Sequence, residues 1–209
     1  RNDNTSPNTD REQRAKFAAE KGANVLVSIH INSYGKGYTS AHGAEVYYPN
    51  SNYNSTVSGQ GQNLSAVILK QLTALGLADR GIKIINSKDG ETYPDGSLAD
   101  YLGINKYAKL YGYPGILIEH AYANNVSDAA NYLTTDAQLQ RLGVADATGI
   151  AQYFGLQKKK NVSLYGICKQ ETVEGISAAL SYSSDDSNIK FRWMEYNIDK
   201  GQWKILDDW

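Results

Sequence analysis

Cysteine is almost absent from this chain. The single Cys168 has no partner for an internal disulfide, and one thiol constrains the redox compartment only weakly. An excess of one charge is missing too. Lys and Arg number 21 against 22 Asp and Glu, a net charge of -1, which argues against nucleic acid as the main partner because such proteins favour a basic face. No run of about 18 apolar residues occurs, so no segment is expected to span a bilayer. A signal peptide is lacking as well, but the chain opens on Arg1 rather than Met, so upstream sequence is expected to be missing. There are three phenylalanines, three histidines and sixteen tyrosines. Tyrosine joins a flat apolar face to a hydroxyl. The skew therefore fits either half-wet surfaces that touch sugars or peptides, or ordinary filling of strand faces and helix edges.

Residues 1–9 are polar and turn-forming and predict a loop. Asp10 is placed as a helix N-cap with Gln13 three residues on, and the helix ends before Gly22. Val25 to His30 is almost continuously apolar, the pattern of a strand covered on both faces in a parallel sheet. Residues 33–43 form a loop, and "AEVYYP" is a second strand stopped by Pro49. Helices are expected over Val57–Leu77, Leu98–Leu110 and Asp136–Phe154, the last closed by Gly155. Short strands are expected at "GIKII" and "ILIE", with a loop over 86–97 between the first of them and the next helix. Strands alternating with helices predict an α/β fold with a mostly parallel sheet and helices on both faces.

The pattern changes after "QKKKN" at 157–161. Short β-type runs follow, with a hairpin signal at Asp199, Lys200 and Gly201 between Tyr196 and Trp203. Residues 157–209 therefore predict the start of a β-sandwich-like module. It is shorter than the roughly 100 residues such a module needs, and so is expected to be cut in mid-domain. Trp193, Trp203 and Trp209 suit either a sandwich core or stacking on sugars.

His30 and Glu119 each close a buried strand. In open α/β sheets the ligand crevice lies outside the carboxyl ends of the strands, so the two would share one region if their strands are neighbours. An imidazole and a carboxylate there suit a metal-activated water with the carboxylate as base. Spacing alone leaves the bland alternatives open: a hydrogen-bonded rim histidine and an ion-paired glutamate. No HxxxH, CxxC or clustered carboxylates supply a complete metal set.

In unbroken order, "RAKFAAEKGANVLVSIHINS", "GAEVYY", "LGLADRGIK", "PGILIEHAYANN" and "GVADATGIAQYFGL" resemble the zinc-dependent N-acetylmuramoyl-L-alanine amidases of the type 3 family, which are peptidoglycan hydrolases. The resemblance covers residues 1–156 and implies a catalytic domain there. Its SIHxN segment falls on His30, implying the last of three zinc ligands. Its late acidic segment falls on Glu119, implying the catalytic base that activates the zinc-bound water. The family's other two zinc ligands, and its first strands, precede the step that Arg1 continues, so this chain alone is expected to bind zinc poorly and to be inactive. His120 and Ala121 depart from the family's late segment, and Tyr122 stands for the usual Phe. His120 is expected to pack against the crevice wall or to add a second acid/base.

Among further candidates, Arg80 is placed either on a stem-peptide carboxylate or in an ion pair with Asp79 or a neighbour. Asn32 is placed on the peptide near the zinc or as a cap on the turn after its strand. His42 is placed on substrate or as a plain loop residue. The resemblance implies peptidoglycan as partner and an extracellular or cell-wall location, with a glycan or protein contact through the C-terminal module. The competing reading is a non-catalytic wall-binding or adhesive protein that keeps the amidase scaffold.

Overall fold

The structure, a computed structural model, describes residues 6–157, 162–165, 181–184, 193–197 and 199–207. The chain divides into two units, Arg1–Leu156 and Gln157–Trp209. In the first, α1 (Pro7–Glu20) leads into β1 (Leu26–Asn32) and β2 (Ala44–Tyr47). These are followed by α2 (Ser55–Ala74), β3 (Asp79–Lys83), α3 (Gly103–Leu110) and β4 (Gly115–Tyr122). A short α4 (Val126–Asp128) runs into a wide helical turn (Ala129–Leu133) before α5 (Asp136–Phe154).

Helix α1 starts one turn earlier than expected. Ser6, not Asp10, is the N-cap; its hydroxyl accepts from the Thr9 amide at 3.2 Å, and Pro7 supplies the preset first helical φ. Asp10 sits inside the helix, paired with Arg14. Helix α3 begins at Gly103 rather than Leu98, because Leu98 bridges back to Thr92 and Asp100 to Asn86 across the preceding loop. Helix α5 has the expected bounds, with a reciprocal capping box between Thr135 and Gln138 and Gly155 left-handed at φ 64°.

The sheet is mixed, in the order β1-β4-β2-β3. β1 and β4 are parallel, as are β2 and β3, while β2 runs antiparallel to β4. Alternation along β4 separates the two faces. Ile116 and Ile118 point to one side, where with Val46 they meet Leu64, Ile68 and Leu72 of α2 and Leu142 and Ala145 of α5. Each fully buried aliphatic side chain there contributes about 1.5–3 kcal/mol. Gly115, Leu117 and Glu119 point to the other side, where α3 lies so close that a Cβ on Gly115 would fall 2.1 Å from the Ile104 carbonyl oxygen. The expectation that β1 is covered on both faces is corrected. Among the described residues it is one of the two edge strands, with β3 the other, and Ile29 and Ile31 are exposed on the side opposite His30.

A buried lysine fixes the loop between β3 and α3. Lys109, fully enclosed, donates to the Asn50 carbonyl (3.0 Å), Asn50 Oδ1 (2.6 Å) and the Asn52 carbonyl (3.0 Å), and pairs with Asp100 at 2.9 Å. Asp100 in turn accepts from the Asn50 amide at 2.8 Å and the Tyr93 hydroxyl at 2.5 Å. With every acceptor matched, this buried pair holds one wall of the cavity described below.

In the second unit, β5 (Val162–Tyr165) pairs antiparallel with β6 (Ser181–Ser184), and β7 (Trp193–Asn197) with β8 (Gln202–Asp207). The β7–β8 pairing places Tyr196 opposite Trp203, as a hairpin requires. Residues 158–161, Cys168, Trp209 and the side chains of Trp193 and Trp203 lie outside the described residues.

Candidate active site

Strand pairing sets His30 and Glu119 side by side, as register partners across the parallel β1–β4 ladder. Glu45 on β2 is the antiparallel partner of Glu119 on its other side. Directly opposed residues point the same way, so the sheet presents a row of His30, Glu119 and Glu45 on the face away from the apolar core. His30 and Glu119 line a cavity of about 670 Å³, walled by Arg11 and Arg14 of α1, Ile104 of α3, and Glu91 and Tyr101 of the pinned loop. A cavity of this size suits a small ligand or the reacting end of a larger one.

The two carboxylates of the row differ sharply. Glu45 is buried and held by four donors: Asn32 Nδ2 (3.0 Å), the Tyr47 hydroxyl (2.7 Å), Arg80 Nε (3.0 Å) and Lys83 Nζ. Burial alone would raise its pKa; the donors outweigh that and hold it below the ordinary carboxylate value. Glu119 has a buried Oε2 with no hydrogen-bond partner among the described residues. Its pKa is pushed up to about 7, first by desolvation and then by the charge on Glu45, with His120 pulling weakly the other way. Near neutral pH, Glu119 can therefore both take and give a proton.

His30 is exposed, with Nε2 2.8 Å from the Ser28 hydroxyl. Partial desolvation, then the charge on His120, keep its pKa below the usual histidine value, so the ring is neutral at pH 7 and has a lone pair to donate. A neutral imidazole fits a zinc ion as one donor. A catalytic zinc takes three protein ligands, however, and no group of three His, Cys, Asp or Glu side chains gathers for a metal among the described residues. The described residues thus do not complete a zinc site.

His120 stands on the opposite face of β4, buried against α5. Its Nδ1 lies 3.0 Å from the His30 carbonyl and its Nε2 2.7 Å from Asp146 Oδ2. Both partners are acceptors, so the ring donates at both nitrogens and is an imidazolium. Burial would lower its pKa, but the hydrogen bond and charge of Asp146 raise it above the ordinary value. Its place is therefore behind the sheet, not in the cavity.

Asn32 caps its own turn, Oδ1 accepting from the Ser33 amide at 2.8 Å, while its amide group serves Glu45. Arg80 pairs with Glu45 rather than Asp79, and its guanidinium lies 5.0 Å from the Tyr122 ring centre. His42 is an exposed loop residue whose Nδ1 is 3.0 Å from the Ser40 carbonyl. Glu45 is a site residue that was not among the sequence candidates. Its signal was a lone charge inside the apolar run "AEVYY", which in a half-buried strand demands partners.

A sequence-family profile described as N-acetylmuramoyl-L-alanine amidase matches residues 1–152. No curated protein matches the chain. Among solved structures, Cwp6 from Clostridium difficile is 26% identical with a TM-score of 0.54, over 68% of this chain and 20% of that one. The catalytic domain of CwlV, an N-acetylmuramoyl-L-alanine amidase from Bacillus (Paenibacillus) polymyxa var. colistinus, is 27% identical with a TM-score of 0.52, over 70% of this chain and 66% of that one. The amidase Ami1 from Mycobacterium smegmatis shares the fold at 23% identity and a TM-score of 0.52, over 69% of this chain and 60% of that one. The chain thus spans less than two thirds of each of these three.

Proposed function

Because this chain belongs to the N-acetylmuramoyl-L-alanine amidase family, we propose that its cavity serves a peptidoglycan amidase. The reaction is hydrolysis of the amide between N-acetylmuramic acid and the L-alanine of the stem peptide. The observation that carries this is the unpartnered Glu119 carboxylate, poised near pH 7 beside a neutral imidazole in a cavity. Glu119 takes a proton from a water as the water oxygen bonds to the amide carbon. When the C–N bond breaks, Glu119 returns that proton to the departing alanine nitrogen, leaving a free amine and a muramic carboxylic acid that keeps the second proton of the water. Glu45, locked in its ion cluster, raises the proton affinity of Glu119 across the ladder. Arg80 and Asn32, which border Glu45, are assigned to the stem-peptide side of the site. The implied zinc would take His30 as one donor and supply Lewis-acid chemistry. We further assign the protein to the cell wall or extracellular space, and residues 157–209 to a β-sandwich-like module contacting glycan or protein.

One observation favours the second reading, a wall-binding protein on an amidase scaffold: no group of three metal donors gathers among the described residues. Zinc titration and mass spectrometry of muropeptide digests separate the two. This 209-residue chain is expected to bind zinc weakly and release no stem peptide. A form of the protein with three zinc donors is expected to bind one zinc tightly and release stem peptides beginning with L-alanine. Tight stoichiometric zinc and cleavage by the present chain would show that it holds a ligand set the described residues do not reveal. A three-donor form that binds wall material without cleaving it would establish the second reading.

A further inference from the structure

The loop joining β1 to β2, residues 33–43, leaves the sheet directly after His30 and Asn32. It is tied to the chain just beyond Glu119. Asn124 Oδ1 accepts from the Tyr34 amide at 3.2 Å, and Asn124 Nδ2 donates to the carbonyls of Tyr34 (2.8 Å) and Gly37 (2.6 Å). The Asn124 carbonyl accepts from the Thr39 amide at 3.0 Å, and Asn125 Nδ2 donates to the Thr39 carbonyl at 2.9 Å. Gly35 and Gly37 adopt left-handed φ of 69° and 89° with open space where a Cβ would be, so they serve the turn itself and not a close contact.

Fixing a loop this firmly costs about 1–2 kcal/mol of backbone entropy per residue, normally offset by burying its apolar side chains. Here it is not. Tyr34 is 70% exposed and Tyr38 89% exposed. Two other exposed tyrosines have a neighbour in the fold: Tyr53 stacks on Tyr93, and Lys88 lies over Tyr101. Neither Tyr34 nor Tyr38 makes a ring contact among the described residues. The pinned loop that follows His30 and Asn32 thus carries two open aromatic rings.

Resting on the amidase reading above, we propose that Tyr34 and Tyr38 form a stacking platform for the glycan strand that carries the scissile amide. Tyrosine offers a flat apolar face to the C–H side of a pyranose and a hydroxyl to its rim, and two fixed rings lose little entropy on contact. Ser33, Thr39 and Ser40 in the same loop add hydroxyls, the complement of an N-acetylhexosamine. The loop carries one charge, Lys36, too few for a polybasic membrane contact.

The test uses the whole chain and glycan strands stripped of stem peptides, with binding measured by sedimentation or calorimetry. The double variant Tyr34→Ala/Tyr38→Ala is expected to bind about tenfold more weakly than wild type at unchanged melting temperature, as loss of an aromatic anchor does. Tyr34→Phe/Tyr38→Phe is expected to keep most of the binding, because the ring face does the stacking. Asn124→Ala, which unpins the loop and leaves both rings, is expected to weaken binding as well. Equal binding by wild type and the double Ala variant, or no binding of stripped glycan by wild type, would overturn the platform. Hydrolysis is scored separately on intact muropeptides with a three-donor form. Cleavage without glycan binding removes the platform and leaves the amidase; glycan binding without cleavage does the reverse.

Discussion

Glu119 and His120 are adjacent in the chain and opposite in circumstance. On the core side of β4, His120 meets an acceptor at each ring nitrogen and pairs with the buried Asp146, whose other oxygen, Oδ1, has no hydrogen-bond partner among the described residues. On the cavity side, Glu119 keeps a buried oxygen with no partner among the described residues, although its ladder neighbour Glu45 commands four donors. The same sheet supports all of these groups. Asp146 places one oxygen in an ion pair that supports the framework, whereas Glu119 makes no such pair, and it is to Glu119 that we propose the chemistry belongs.

Three substitutions test this contrast. The largest effect should come from the framework side. Asp146→Ala leaves His120 without its counter-charge and is expected to cost about 3–5 kcal/mol in denaturant unfolding. A loss below about 1 kcal/mol would make the pair no stronger than a surface one.

The next concerns Glu119 and pH. Its folded pKa, about 7, lies above the ordinary 4.5. The folded state thus binds more protons than the unfolded state between those values. The stability this confers is complete below about pH 4.5, falls as pH rises, and is gone above about 7. Glu119→Gln cannot ionise, so it should match or exceed the wild-type melting temperature at pH 7.5, with the difference moving against it as pH falls to 4.5. A pH-independent difference would mean that Glu119 is solvated or paired after all. The smallest effect is expected for Tyr47→Phe, which removes one of four donors to Glu45 and should cost about 1 kcal/mol. A cost of several kcal/mol would mean that Tyr47 holds more than this carboxylate.

Much of this arrangement was legible in the sequence. Helix α5 was legible in the apolar stripe of Leu139, Leu142, Ala145, Ile150 and Phe154 and in the closing Gly155, because both are local patterns, whereas its Thr135–Gln138 capping box came only with the structure. His30 and Glu119 could be paired because strand ends in α/β sheets converge. Sheet order was not legible: nothing local to "AEVYY" says that β2 runs antiparallel to β4 or that β1 is an edge, since these depend on contacts distant in the chain. The cap at Ser6 is masked by the capping-box spacing of Asp10 and Gln13, although Pro7, a residue that suits the first helical position, marks the earlier start. Asn32 and Arg80 were recognised as polar residues near the site, yet their convergence on Glu45 arises only when β1, β2 and β3 lie side by side. The opposite outlooks of Glu119 and His120 follow from the two-residue period of a strand, once β4 is known to extend past Glu119 to Tyr122.

The central claim is that Glu119 is the base of the amidase reaction. The direct measurement is muropeptide hydrolysis by Glu119→Gln in a form of the protein that cleaves peptidoglycan, with metal content determined on the same sample. Turnover is expected to fall about 10²–10⁴-fold, the scale of general-base catalysis, with zinc content and melting temperature retained. Turnover near that of the wild type in a folded, zinc-loaded Glu119→Gln protein would contradict it.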